Sequence, residues 1–315
     1  MNNPFSLLLR TLGQNGRAIL VASLVVGLLA GGLSELIKPH IDILIALLLF
    51  TACLRIGPVQ ALGAIRDLKA GLLFVIILQI LLPLAVLAGT VLFDITNDLG
   101  FVLIMLMAAP PLAGAPHLVV LLGYEPVQAL RQVVAGTAFL PLTTIPVFSL
   151  MSQFGDPLFV AASSFRLMLI IAGAAVTAFI LRATLLKQPT KETIEQIDGA
   201  STLLLATTVI GLMAAIHNSL ASSPAILAVT FVAAFAVNIG LQLVTASLLV
   251  KSPASAYTVP IGLISGTRNI ALFLAALPAA RVEPLLLFIG CYQIPMYLTP
   301  VIMRPFYRYL LQDQG

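Results

Sequence analysis

Residues 101–123 read FVLIMLMAAPPLAGAPHLVVLLG. The run is apolar almost throughout, yet Pro110, Pro111, Gly114 and Pro116 fall in its middle. Proline removes a backbone donor and its ring clashes with the preceding turn, so these residues cannot all sit in one continuous helix. A second stretch, residues 257–278, YTVPIGLISGTRNIALFLAALP, has the same character. Pro260, Gly262 and Gly266 interrupt it, together with the polar run Ser265, Thr267, Arg268 and Asn269. Each stretch has the length of a bilayer crossing, about 20 residues. Broken backbone at that depth is tolerated only where protein or a water-filled cavity satisfies the freed N–H and C=O groups. The two stretches are therefore expected to be interrupted membrane helices.

The rest of the chain agrees with a membrane setting. Of 315 residues, 60% are hydrophobic and 9% charged, and the mean hydropathy is +1.10. A soluble domain is typically about 25% charged. The composition excludes a water-soluble enzyme or nucleic-acid binder, and the bilayer is the expected partner. Cys53 and Cys291 both lie in apolar runs and suggest neither a disulfide framework nor a metal site. The first apolar stretch has no small-residue cleavage site and reads as a retained span.

Apolar runs between polar or Pro/Gly punctuation give ten candidate spans: 17–37, 41–57, 70–93, 99–123, 127–152, 158–182, 199–217, 223–250, 256–281 and 284–308. The long polar connection is 183–198. With ten spans, eleven of the 16 Lys and Arg residues fall on the side of the N-terminus, among them Arg17, Arg66 and Lys69. Only Lys38 and Arg281 fall opposite. The positive-inside rule then puts both termini in the cytoplasm, and a bacterial inner membrane is the expected location. Arg131, Arg166 and Arg268 stay within spans or at their edges.

Ten spans divide into two halves of five, which must be inverted relative to one another. The interrupted helices are the fourth span of each half. Matching interruptions in the halves of an inverted repeat point to a substrate site near the bilayer midplane. Half-helix N-termini offer N–H groups and positive dipole ends, which suit an anion. The expected fold class is an all-α membrane protein of two inverted five-helix repeats, with discontinuous helices 4 and 9 crossing.

Several motifs, in this order and spacing, resemble the bile acid:sodium symporter family over nearly the whole chain. ALLLFTACLRIGPVQALGAIRDLKAGLLFVIILQILLPL (46–84) is similar to that family's second and third helices, with Gln79 shortly before Pro83. AAPPLAGAPH (108–117) and SGTRNIALFLAAL (265–277) match its two crossover motifs in place. The resemblance implies a panel of helices 1, 2, 6 and 7 and a core of helices 3–5 and 8–10. By residue, 1–182 would hold helices 1–6, 183–198 a cytoplasmic loop and 199–315 helices 7–10. It also implies alternating-access transport of organic anions, commonly carboxylates or sulfonates, and in most members with sodium. This sequence departs from the family at the sodium ligands. The crossover glutamate aligns with Ile264 and the glutamine with Arg268. The serine-asparagine pair becomes Pro116 and His117, or Ala115 and Pro116 in a register one residue earlier, and a helix-5 serine aligns with Arg131. The usual two sodium sites are expected not to be intact.

Arg268 is the leading site residue. A guanidinium is always charged, repels a nearby cation and can pair bidentately with a carboxylate. No Asp or Glu lies mid-span to neutralise it. Two roles are open: contact with an anionic substrate, or capping carbonyls at the break. The expected substrate-binding set is Arg268, Asn269, Thr267, Ser265, His117, Pro110, Pro111 and Gly114. His117 is also the candidate for proton coupling, since histidine changes charge near neutral pH. Arg131, Gln79, Thr137, Asn238, Gln242 and Gln293 are expected to line a cavity or tie helices together.

The leading expectation is a secondary transporter of a small organic anion. A sodium-coupled symporter with rearranged ligands and a non-transporting membrane receptor are the alternatives. No cofactor is expected. An enzyme is not: the chain has no paired membrane aspartates, no histidine pair with glutamate and no Gly-x-Ser-Gly.

Overall fold

The computed structural model describes residues 4–65, 68–95, 97–151, 154 and 156–312. Arg66 and the side chains of Arg17 and Lys69 lie outside the described residues. Among the described residues the chain is all helix, apart from one isolated β-bridge between Pro111 and Arg268. The N-terminal helices are α1 (Pro4–Gln14), α2 (Gly16–Leu29), α3 (Gly31–Ile37) and α4 (Ile41–Ile65). Then come α5 (Leu68–Ile76), a π-turn at Ile77–Leu81, α6 (Leu82–Leu92), α7 (Asp98–Ala108), α8 (Ala115–Leu122) and α9 (Val127–Leu150). The second half holds α10 (Pro157–Thr184), α11 (Lys191–Ser222), α12 (Pro224–Val250), α13 (Thr258–Gly266), α14 (Leu272–Ala276), α15 (Ala279–Ile302) and α16 (Arg304–Gln312).

Seven helical stretches are long and apolar enough to cross a membrane, and an eighth if α1 and α2, bent by 89°, count as one. Large apolar side chains point outward along them, Val59 at 82% exposure and Leu29 at 81%. Surfaces this apolar belong against lipid. The chain is an all-α membrane protein.

The chain forms two compact units: Met1–Gly63, Arg166–Leu227 and Ala271–Gly290 make one, and Ala64–Phe165, Ala228–Ile270 and Cys291–Gly315 the other. In the first unit, α1, α2 and α3 pack along α11. The approach of α1 is close: a Cβ on Gly199 would collide with the backbone of Leu9. The expected loop 183–198 is shorter than the sequence suggested. The Thr190 hydroxyl caps α11 by accepting from the Thr193 N–H at 3.2 Å, so helix begins at Lys191. The polar residues that made this segment look like loop form ion pairs on the first turns of α11. Glu192 and Glu195 meet Arg10 at 3.0 and 3.1 Å, and Asp198 pairs with Arg55.

The expected boundary between the first two spans at residues 38–40 is also corrected. Helix continues from Gly31 to Ala64 through a 3₁₀ turn at Lys38–His40. Pro39 opens that turn, a position where its missing N–H is not needed. The break falls instead at Ala30, ahead of the flexible pair Gly31–Gly32. The real kink comes later, at Gly57, whose φ of 73° is left-handed. A side chain there would also press on the Arg182 guanidinium. At the other end of the chain, the expected last span 284–308 stops at Ile302, and α16 is a separate helix.

In the second unit, Phe74 and Leu78, Val119 and Leu122 of α8, Val133 of α9, Ala246 of α12, Ile261 and Ile264 of α13 and Tyr307 of α16 share one buried core. Both interrupted helices are anchored there.

Candidate functional site

The first interruption follows directly from its prolines. The residue before a proline is pushed out of the helical region. Ala109 precedes Pro110, takes extended angles (φ −66°, ψ 148°), and α7 ends. Helix resumes at Ala115, with Gly114 before it and Pro116 in its first turn. In the second stretch α13 ends at Gly266, and Thr267 is extended (φ −116°, ψ 92°). The two extended segments pair antiparallel. Leu112 N–H donates to the Thr267 carbonyl at 3.0 Å and Asn269 N–H to the Pro110 carbonyl at 2.8 Å. Each break thus satisfies backbone groups the other has freed, which buried backbone requires.

Arg268 sits at the centre of this crossing and is 1% exposed. It is the only charged side chain buried among the described residues. Its three side-chain nitrogens each donate to a main-chain carbonyl. Nε reaches Ser265 at 2.9 Å, Nη1 reaches Ala109 at 3.1 Å and Nη2 reaches Leu78 at 3.2 Å.

Each of these carbonyls is available for a local reason. Ser265 lies in the last turn of α13 and Ala109 follows the last turn of α7, where carbonyls lack intrahelical partners. Leu78 lies in the π-turn, where the Leu82 N–H donates back to Ile77. The residue five after Leu78 is Pro83, which has no N–H to give.

Among the described residues no carboxylate balances the guanidinium. Of the 12 acidic residues, Asp67 and Asp313 lie outside the described ones, and none of the others is buried. The burial of a lone charge costs several kcal/mol. Three bonds from a charged donor return about 1.5–3 kcal/mol each. The C-terminal dipole ends of α7 and α13 add to the attraction.

Around the arginine, Pro110, Pro111, Ser265 and Thr267 are buried. Ser265 Oγ donates to the Gly262 and Leu241 carbonyls at 2.7 and 3.0 Å, and Thr267 Oγ1 to Leu263 at 2.9 Å. Those hydroxyls are occupied within the helix ends. Asn269 is half-buried and bonds the crossing through its N–H. Gln79 is buried within the π-turn and accepts from Thr143 Oγ1 at 3.1 Å.

A second polar group stands behind Gly266. Asn238 Nδ2 and Tyr292 Oη both donate to the Gly266 carbonyl, and the Arg268 N–H donates to Tyr292 Oη at 3.2 Å. Asn238 Oδ1 accepts from Gln242 and from Thr299, each at 3.1 Å, and Tyr307 donates to Gln242. Asn238 and Gln242 therefore tie α12 to α13, α15 and α16.

The remaining expected residues are placed as follows. Gly114 and His117 are exposed at the start of α8, and Arg131 and Thr137 are half-buried on α9. Gln293 is 7% exposed, and its Oε1 has no hydrogen-bond partner. Tyr297, one turn on along α15, has an equally unpartnered buried hydroxyl. Two residues of the group, Thr299 and Tyr307, had no sequence signal: a lone threonine and a tyrosine in a basic segment look interfacial.

Sodium, which the family resemblance would supply, does not fit these residues. The carbonyls at the crossing already surround a cation, and among the described residues no buried carboxylate is present to hold a second one. No protein-family model matches the chain, and no curated protein matches it.

Proposed function

We propose that the chain is a secondary transporter of a small organic anion, carboxylate or sulfonate in type, that works by alternating access without sodium. The observation that carries the reading is the crossing of two interrupted helices on a buried arginine with no acidic partner among the described residues. Helix interruptions that meet inside a membrane protein are a transporter feature, because the site they build must face either side in turn. A formal positive charge in a low-dielectric core attracts anions and rejects cations. The first turn of α8, where Gly114 and His117 are exposed, adds the positive dipole end of that helix. Arg268 acts on the substrate mainly through its field, since its three nitrogens are engaged with the backbone.

The resemblance to bile acid:sodium symporters supports the same reading. Under it the chain has ten spans in two inverted repeats, with both termini in the cytoplasm of a bacterial inner membrane. The two interrupted pairs and the bent α1–α2 pair stand beside the seven long helices in that count.

Purified protein reconstituted in liposomes tests the reading. Counterflow is measured for radiolabelled taurocholate, pyruvate and lactate, with choline and glucose as cationic and neutral controls. At least one anion is expected to exchange at several times the rate of protein-free liposomes, and neither control. Exchange of choline or glucose alone would overturn the anion assignment. A protein that binds an anion yet shows no counterflow of it would be a receptor.

A further inference from the structure

We propose that the Arg268 guanidinium is a tethered substitute for a bound monovalent cation, seated in a carbonyl cage that holds a free cation once the arginine is removed. The cage is made from three separate helix interruptions. Leu78 contributes from the π-turn, Ala109 from the end of α7 and Ser265 from the end of α13.

Main-chain carbonyls released at helix breaks are the ligands hard cations use in membrane proteins. Two helix C-termini converge on the same point, and each carries roughly half a negative charge. The cage is therefore negative by construction and has no carboxylate that could be neutralised. What occupies it must be positive. The 1% exposure of Arg268 and its bonds of 2.9–3.2 Å show that the side chain fills it.

The arrangement also explains why the arginine is tolerated. Its charge is offset in part by partial charges of the backbone and not by an ion pair. Because the cation is covalently attached, the crossing keeps the same charge at every stage of any cycle, and a soluble cation has nothing to add. The claim concerns the crossing alone and can fail or hold independently of the transport reading, because stability measurements test it without substrate.

The experiment uses full-length protein in detergent, with thermal unfolding followed at matched ionic strength in sodium, potassium or choline chloride. Low-millimolar guanidinium chloride is added to choline in a fourth arm. Wild-type protein is expected to melt at the same temperature in sodium, potassium and choline. Arg268→Ala is expected to melt lower in choline, and to recover by several degrees in at least one of sodium, potassium or guanidinium. Stabilisation of the wild type by sodium would overturn the proposal, as would an alanine variant that responds to none of the three cations.

Arg268→Lys and Arg268→Gln form a second arm, which decides the matter should the alanine variant fail to fold. The lysine variant keeps the charge and is expected to be the more stable of the two in choline and indifferent to sodium. The glutamine variant keeps length and polarity only, and is expected to gain from sodium. Equal stabilities with no cation response would mean that the cage requires hydrogen bonds and not charge, and would overturn the proposal.

Discussion

At the residue scale the account rests on how one guanidinium is satisfied. Each of its nitrogens finds a carbonyl that local geometry has left without a partner, and Tyr292 locks the backbone on which it stands. Tyr292 accepts from the Arg268 N–H and donates to the Gly266 carbonyl, so it bridges the end of α13 to α15. Tyr292→Phe is expected to destabilise the protein by about 1–3 kcal/mol, the usual penalty for leaving a buried polar group unsatisfied. Chemical unfolding of the purified variant checks this; unchanged stability would show that the bridge contributes nothing. Arg268 was legible in the sequence, being a charge in an apolar stretch with no acid nearby. Its partners were not. Carbonyl oxygens belong to every residue, so no side-chain pattern marks Leu78 or Ala109 as the ones that would be free. With hindsight Pro83 carried that signal, since it withholds an N–H from the π-turn.

At the scale of elements, the two interruptions could be read from their prolines and glycines, and they meet as an antiparallel bridge. Their partner helix imposes a further requirement. A Cβ on Gly136 of α9 would stand 2.7 Å from Pro111 Cδ and 2.5 Å from Gln79 Nε2. The glutamine can swing aside, but the proline ring cannot. Gly136→Ala is therefore expected to push α9 off the crossing, with a loss of roughly 1–3 kcal/mol typical of overpacking. A thermal scan beside Gly173→Ala, a glycine with open space around it, provides the check; equal melting temperatures would contradict the packing. Other elements escaped the sequence reading for electrostatic reasons. Residues 191–198 looked like loop because they are polar, whereas their acids face Arg10 and Arg55 on a capped helix.

At the scale of the whole molecule, scarcity of charge is the governing fact. Only 9% of residues are charged, the described acids are all unburied, and among the described residues a single arginine is held inside. Membrane insertion and the all-helical class were legible because hydropathy follows from composition. The chain's division into Met1–Gly63, Arg166–Leu227 and Ala271–Gly290 against the remainder was harder to read, because most of its cuts fall inside continuous helices, after Gly63, Phe165, Leu227 and Gly290. The functional proposal joins these scales: a crossing whose positive charge is built in should attract an anion and need no cation to do so. The most direct measurement is the initial rate of anion counterflow in proteoliposomes, with sodium chloride on both faces and then with choline chloride in its place. The account predicts the same rate in both. A rate that collapses in choline and returns with sodium would contradict it.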